Sequence, residues 1–273
     1  VREKIGDFAE TDFDDIQTQG PYVNFFVNRK GFARQTVWDI ITQKKNYGKS
    51  DRGKREKVIV EFSSPNVAKP FGIGHLRSTI IGNSLANIFE FSGHKVVRMN
   101  YLGDWGTQFG RLLAGYTKMG REKSLLKDPI NYILQIYVKA NNKKYEESAR
   151  EWFKKMEDGD RKALLLWKLF KGFTMDDFKK MYKLLGIKFD AYEAESNYNK
   201  KAKEIMEELK EKKIVKKSKG AYIVDLEAQG IGTAVIEKSD GTTLYATRDL
   251  AAAIDRQKRY KFDRMIYEVG QEQ

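Results

Sequence analysis

A histidine and a lysine flank a glycine-spaced turn in the first third of the chain. Gly72 and Gly74 stand two positions apart, His75 follows directly, and Lys69 lies just upstream. Glycines let backbone N–H groups approach an anion, and the dipole of a following helix favours negative charge at its start. An imidazole and an ammonium group at the same place suit a nucleotide phosphate whose charge increases during a reaction.

Two other interpretations of this turn stay open. The simpler one is a tight turn without chemistry. The other is a dinucleotide-binding turn, because the residues from Gly72 follow the pattern G-x-G-x-x-G except at the last position, where Arg77 stands. The next strand lacks the acidic residue expected for a ribose contact, but Arg98 could meet the 2′-phosphate of NADP. An NADP-dependent oxidoreductase is therefore an alternative.

The turn joins a predicted strand to a predicted helix. Apolar, mostly β-branched residues over 58–62 predict a buried strand. From His75 the apolar residues recur at helical spacing until Gly93 ends the helix, and residues 95–101 predict a second buried strand. A strand–turn–helix–strand order is typical of α/β sheets, whose ligands bind at the carboxyl ends of the strands.

Other segments give weaker predictions. Residues 129–186 are helical in pattern throughout, with a break at 158–160, and Asp104 stands where it would cap a helix over 104–119. Further predictions are a short strand within 20–28, helices over 32–43 and 245–260, strands over 221–226, 234–237 and 265–269, and a hairpin turn at 239–242.

Composition excludes several classes of protein. The chain has no cysteine and two histidines, which rules out a disulfide framework and a thiolate or histidine-rich metal site. No apolar run approaches the ~20 residues that span a bilayer, and no signal peptide is visible, so we expect a soluble cytoplasmic protein. The net charge of +13 suits a polyanionic partner such as RNA, but equally a lysine-rich surface.

Three blocks carry a resemblance to a known family. They are SSPNVAKP at 63–70 leading into GHLRST at 74–79, NYLGDWGTQFG at 100–110, and SDGTTLYATRDL at 239–250. In this order they resemble arginyl-tRNA synthetase, a class I aminoacyl-tRNA synthetase. The resemblance extends from about Gly20 to the last residue.

The resemblance implies an architecture. Residues 51–273 are expected to form the first part of a Rossmann-type parallel-sheet catalytic domain with a helical insertion at about 119–220. Residues 1–50 are expected to be the end of a small N-terminal α+β domain that contacts tRNA, together with a linker. Because the chain starts at Val1 and stops at Gln273, we expect a partial chain that lacks a lysine-rich loop and an anticodon-binding domain and is inactive alone.

The implied activity is arginine–tRNA ligation. ATP and L-arginine give arginyl-adenylate, and the arginyl group then moves to the 3′ end of tRNA(Arg). Magnesium is expected to arrive with ATP rather than in a metal site of the protein. We expect a cytoplasmic monomer without a membrane contact.

The family motifs assign roles to particular residues of this chain. His75 and Lys69 match the catalytic donors. The expected ATP-binding residues are Ser64, Pro65, Asn66, Lys69, Gly72, Gly74 and His75. The expected arginine-binding residues are Glu61, Asn66, Tyr245, Asp249 and Gln273. A guanidinium group needs carboxylates at its edge and suits an aromatic ring against its plane.

One position departs from the family pattern. The family motif runs His-x-Gly-His, and Gly72 occupies the first histidine position. One phosphate-facing donor is therefore missing. This departure supports a second interpretation, a non-catalytic relative that binds nucleotide or RNA.

Overall fold

The computed structural model describes residues 12–67, 69–239, 241 and 244–270. These residues belong to two compact units, Val1–Ser50 and Asp51–Gln273. In the first unit, strands β1 (Phe13–Gln19) and β2 (Tyr22–Val27) form an antiparallel pair, and helix α1 (Arg29–Gln43) follows. The Asn28 side chain accepts a 2.6 Å bond from the backbone N–H of Gly31 and so caps α1.

Strand β1 was not predicted. Its sequence looked like an acidic segment, but Phe13 and Ile16 give it apolar contacts with β2, and the rings of Phe13 and Phe25 lie 5.2 Å apart. The predicted helix over 32–43 is confirmed, with its start three residues earlier.

The second unit is built on a parallel sheet. Its first elements are β3 (Lys57–Glu61), α2 (Ile73–Phe91) and β4 (Lys95–Leu102), and these confirm the predicted strand–turn–helix–strand segment. Then come α3 (Thr107–Met119), α4 (Glu122–Lys127), α5 (Pro129–Ala140), α6 (Glu146–Glu157), α7 (Arg161–Leu184), β5 (Ala191–Ala194), α8 (Asn199–Glu211), β6 (Lys216–Ser218), β7 (Ala221–Leu226), β8 (Gly232–Glu237), α9 (Tyr245–Tyr260) and β9 (Arg264–Tyr267).

The sheet order defines where a ligand would bind. All neighbours in the order β5-β4-β3-β9 are parallel. The chain builds outward from β3 to β4 and β5, and then returns to place β9 on the other side of β3. Ligands of open α/β sheets bind where the strand order reverses, outside the carboxyl ends of the strands. The α/β class with a parallel Rossmann-type sheet is thus confirmed.

The helix behind the sheet packs unusually close to it. A Cβ atom on Gly82 of α2 would lie 2.1 Å from Cβ of Phe62, so only glycine permits this approach. Helices α3, α5, α6 and α7 form a second core around buried side chains such as Phe109, Leu112 and Phe170. This core is the helical region predicted over 129–186, and Gly159 breaks it with φ of +82°.

The insertion predicted at about 119–220 is not made of helices alone, because β5 lies among these residues and pairs with β4. This strand was missed because it has only four residues. The hairpin turn predicted at 239–242 falls partly on residues 240 and 242, which lie outside the described part of the chain. In the described residues β8 pairs with β7 through a turn at Glu227–Gln229.

Asp104 does not cap α3, which begins at Thr107. Its carboxylate is fully buried and instead accepts bonds from Lys171 Nζ at 2.5 Å and from the backbone N–H of Ser196 at 2.9 Å. Asp104 therefore ties the loop after β4 to α7 and to the segment after β5. None of the helices in the described ranges is long and apolar enough to cross a membrane.

Candidate active site

The chain turns sharply directly after β3. Ser63 and Ser64 have φ of +73° and +39°, in the left-handed region that non-glycine residues rarely adopt. The hydroxyl of Tyr182, from α7, lies 2.8 Å from Ser63 Oγ and accepts a 2.9 Å bond from Asn100 Nδ2. Thr79 Oγ1 lies 2.7 Å from Ser63 Oγ. This buried hydroxyl cluster holds the turn in its strained conformation.

Replacing Tyr182 with phenylalanine should lower the free energy of unfolding by about 1–3 kcal/mol, because buried polar groups of Ser63 and Asn100 lose their partner. Urea denaturation measures the change. Tyr192→Phe is the matched control, since Tyr192 is 41% exposed and should change little. Equal unfolding midpoints for the two variants would show that the backbone alone maintains the turn.

His75 lies in the first turn of α2 and is held by that turn. Its Nδ1 accepts a 3.1 Å bond from the backbone N–H of Gly72, which leaves the ring proton on Nε2. Burial, and after it the charge of Lys69, lower the pKa of His75 below its usual value. At neutral pH the imidazole is therefore uncharged and offers Nε2–H as a donor.

The start of α2 is open to a ligand. A Cβ atom at Gly72 or Gly74 would meet nothing within 4 Å. In the turn after β3, Asn66 forms a parallel bridge with Gly103, which follows β4. A Cβ atom on Gly103 would lie 2.3 Å from Asn66 Oδ1. Glycine at position 103 thus leaves room for the Asn66 amide beside the turn.

A second set of predicted residues meets in one pocket at the carboxyl ends of β3, β4 and β9. We call this cavity of about 430 Å³ the acidic pocket. Its lining includes Glu61, Ser64, Asn66, Tyr101, Glu195, Tyr245, Asp249, Arg256 and Tyr267. Glu61 is the last residue of β3, and Tyr245 and Asp249 lie on the first turns of α9. Folding therefore brings Glu61 and Asp249 into one pocket although they lie far apart in the sequence.

Of the remaining predicted residues, Pro65 and Lys69 lie in or after the turn that follows β3, and Gln273 lies outside the described residues. Pro65 lies in the same turn, where its carbonyl accepts a 3.3 Å bond from the N–H of Gly103. Lys69 follows the turn and donates its backbone N–H to the carbonyl of Asn66 at 3.3 Å.

Burial dominates the electrostatics of the acidic pocket. It raises the pKa of Glu61 to about 7, an effect that Arg256 only partly offsets. It also raises the pKa of Glu195 to about 7, against the opposing charge of Arg248, and it raises the pKa of Asp249. Glu61 is buried, Glu195 is half-buried and Asp249 is exposed at the pocket surface, and a cation placed among these three carboxylates would favour their ionised forms.

Sequence reasoning missed two charged residues of this pocket. Arg256 is 1% exposed, and its Nη1 lies 2.5 Å from Oε2 of Glu61. Glu195 lies 3.4 Å from the Arg248 guanidinium. A single charged residue on a helix or in a loop normally predicts a solvated position, and no spacing in the sequence marks these two as buried.

The NADP alternative loses the residue that supported it. Arg98 Nη2 donates to Glu90 Oε2 at 2.6 Å and to Asn87 Oδ1 at 2.9 Å. Arg98 also stands in the middle of β4, away from the carboxyl end where a nucleotide would lie. Its contacts with α2 account for it without a phosphate.

A larger cavity adjoins the acidic pocket, with Tyr245 in the lining of both. We call it the basic cavity, and its volume is about 710 Å³. Its charged lining residues are Arg150, Lys154, Lys203, Lys238 and Arg248, with Glu157 and Asp158. The excess of positive charge suits an anion larger than a single phosphate.

Fold and site together define a class: an α/β domain with a parallel sheet, an acidic pocket at the carboxyl ends of its strands, and a glycine-spaced turn over residues 72–75 that we call the phosphate turn after the role expected from the sequence. Residues 36–273 match the family model described as tRNA synthetases class I (R), catalytic domain, and the chain belongs to this family.

Named relatives agree with this assignment. The chain is 45% identical over 277 residues to an arginine–tRNA ligase of Streptococcus mutans and 46% identical over 276 residues to one of Ligilactobacillus salivarius. Each match covers 99% of this chain and 49% of the relative, so the chain spans about half the length of these proteins. The crystal structure of arginyl-tRNA synthetase from Plasmodium falciparum matches with a TM-score of 0.73 and 28% identity, over 94% of this chain and 46% of that one.

Proposed function

We propose that this chain is the amino-acid-activating part of an arginine–tRNA ligase. The observation that supports it most is the meeting of Glu61, Tyr245 and Asp249 in one acidic pocket at the carboxyl ends of the strands. A guanidinium is planar, permanently charged and rich in donors. Two carboxylates and a tyrosine ring that line the same pocket match those properties better than they match an ammonium ion.

In this proposal the amino acid enters with its guanidinium toward Glu61 and Asp249. The Tyr245 ring, which is 61% exposed, would cover the guanidinium plane as the substrate enters. Asn66 also lines the acidic pocket and would contact the α-amino or carboxylate group. Gln273 is proposed for the same end of the substrate on the resemblance alone.

ATP would lie across the start of α2. Its phosphates would meet the helix N-terminus at Gly72 and Gly74, the Nε2–H of His75 and the ammonium group of Lys69. Ser64 and Pro65 would border the nucleotide from the turn after β3. Magnesium would be held mainly by the phosphates, because in the described parts of the chain no three or more His, Asp or Glu side chains are grouped to hold a metal.

The reaction follows from these positions. An oxygen of the arginine carboxylate attacks the α-phosphorus, the bond from that phosphorus to the bridging oxygen breaks, and pyrophosphate leaves. Negative charge grows on the phosphoryl oxygens, and His75 and Lys69 would stabilise it. A ribose hydroxyl of the tRNA 3′ end then attacks the activated carbonyl, and AMP leaves.

We propose tRNA as the macromolecular partner. Tyr245 lines both the basic cavity and the acidic pocket, so a polynucleotide end held in the basic cavity would lie next to the substrate. The net charge of +13 adds a general attraction to a polyanion. Residues 1–50 are proposed as part of a tRNA-contacting domain, and cytoplasm as the compartment, since charged tRNA is consumed where proteins are made. The monomeric state stays a prediction.

The alternative function, a non-catalytic relative, is supported by one observation, which is the glycine at position 72. The donor missing at position 72 can be restored by substitution, because a Cβ atom there meets nothing within 4 Å. Gly72→His should raise the single-turnover rate of arginyl-adenylate formation by about tenfold, since one phosphate-facing donor is added. Gly72→Ala is the control and should not. An unchanged or lower rate for Gly72→His at unchanged thermal stability would show that no donor is missing.

The proposed function is tested by incorporation of labelled pyrophosphate into ATP. The natural full-length protein is incubated with each of the twenty amino acids, with and without a total tRNA pool. Exchange that requires L-arginine supports the proposal. Exchange with another amino acid would contradict the substrate, and no exchange under any condition would favour the non-catalytic relative.

A further inference from the structure

Arg256 is a buried cation in a pocket that would receive another. It lies on α9, its side chain is 1% exposed, and it lines the acidic pocket. Its Nη1 lies 2.5 Å from Oε2 of Glu61, and its Nε donates to Oε2 of Glu193 at 2.8 Å. The guanidinium also lies 4.7 Å from the ring centroid of Tyr101. Three neighbouring strands, β3, β4 and β5, thus hold one arginine in place.

The two oxygens of the Glu61 carboxylate have different surroundings. Oε2 pairs with Arg256, and Glu61 also lines the acidic pocket. A ligand guanidinium would therefore meet the other oxygen of Glu61, together with Asp249, which lines the same pocket. The ion pair with Arg256 occupies one oxygen of the Glu61 carboxylate, which restricts how an incoming donor pair can align with that carboxylate.

We propose that Arg256 is a positioning residue that keeps Glu61 ionised and oriented so that Glu61 can bind the guanidinium of the substrate. The inference rests on the proposed function, because it assumes that arginine enters the acidic pocket. It adds a residue on which the affinity and the pH dependence of that step depend.

Electrostatics supports the same role. Glu61 is 4% exposed, and burial raises the pKa of Glu61 to about 7 although Arg256 opposes the rise. The groups that face Glu61 and Arg256 from the surrounding elements are Tyr101 on β4, Glu193 on β5, Tyr198 after β5, Asp249 on α9 and Tyr267 on β9. Arg256 is the cation among them, so removing its charge would raise the pKa of Glu61 further.

The sign of the pH dependence follows. A guanidinium binds the ionised carboxylate, so arginine affinity should fall as pH drops through the pKa of Glu61. Without the charge of Arg256, this fall should begin at a higher pH. Loss of stability alone would not move the pH at which half of the affinity is lost.

The chain supplies a matched control on the same helix. Arg259 also binds Glu193 and donates to Asp255 Oδ2 at 2.6 Å, but it has no contact with Glu61 in the described residues. Its side chain is 46% exposed. Arg259→Gln therefore removes a cation from the same ionic cluster without touching the carboxylate at issue.

The test is calorimetric titration of the natural full-length protein with L-arginine and, separately, ATP, from about pH 6 to about pH 8.5. Arg256→Gln keeps a donor but removes the charge, and Arg256→Lys keeps the charge. We expect Arg256→Gln to weaken arginine binding about tenfold at pH 7 and to raise the half-affinity pH by about one, a tenfold change being equivalent to one pKa unit. ATP binding should change less than about twofold, within ordinary surface-substitution effects.

Arg256→Lys should keep the wild-type half-affinity pH, and Arg259→Gln should leave both affinity and pH profile near wild type. The inference is overturned if Arg256→Gln matches the wild type, if it weakens arginine and ATP equally, or if Arg259→Gln produces the same shift. Should Arg256→Gln fail to fold, a shifted half-affinity pH for Arg256→Lys overturns it as well. Absence of arginine binding by the wild type would instead reject the proposed function and the inference with it.

Discussion

Replacing Asp249 with asparagine should weaken the binding of L-arginine by about 10²-fold or more, because removing one partner of a desolvated charge pair costs about 2–5 kcal/mol. The substitution keeps the shape of the side chain and removes its charge. ATP binding should stay near normal, since Asp249 lines the acidic pocket and the residues of the phosphate turn do not. Calorimetry with each ligand measures both affinities.

Asp255→Asn is the matched control for this experiment. Asp255 lies on the same helix, but its carboxylate pairs with Lys201 and Arg259 and does not line the pocket. Arginine affinity should therefore change little in this variant. Equal loss of arginine and ATP binding in Asp249→Asn would mean that Asp249 is structural and that the proposed orientation of the substrate is wrong.

Replacing His75 with alanine should slow arginyl-adenylate formation by about 10²–10³-fold, the usual cost of losing one preplaced donor to a developing oxyanion. Arginine binding should be unchanged, because His75 lies at the start of α2 and outside the acidic pocket. Rapid-quench measurement of a single turnover separates the chemical step from binding and product release.

His94→Ala is the control for the histidine substitution. His94 precedes β4, and its Nδ1 lies 3.1 Å from the carbonyl oxygen of Phe89, so it is placed to stabilise the helix end and not a phosphate. A similar slowing in both variants would assign the effect on His75 to stability. A His75→Ala rate within about threefold of the wild type, far below the usual cost of a lost donor, would contradict its role.

The segment from β3 to β4 could be predicted from the sequence because its signals are local. A β-branched run marks β3, the 3.6-residue period marks α2, and Gly93, with φ of +91°, ends the helix where the period stops. Strand β1 was missed for the opposite reason. Its acidic residues suggested a solvated segment, and its pairing with β2 depends on contacts that no local pattern records.

The candidate site was only partly predictable. The phosphate turn follows from glycine spacing and from His75, which local reasoning can find. The pairing of Glu61 with Asp249 came from family resemblance, because tertiary folding alone brings β3 and α9 together. Arg256 and Glu195 gave no signal in the sequence. A charged residue that is paired inside the protein has the same local sequence pattern as one that is exposed to solvent. The strain at Ser63 was equally invisible, because serine does not predict a positive φ.

Recognition of the guanidinium charge by Glu61 and Asp249 is tested most directly by comparing L-arginine with L-citrulline, its uncharged isostere, in titrations of the natural full-length protein. We expect citrulline to bind at least about 10²-fold more weakly than arginine, because the carboxylates of the acidic pocket then lack a cation. Asp249→Asn should largely remove this difference. Equal binding of the two amino acids by the wild-type protein would show that the acidic pocket does not recognise the guanidinium charge.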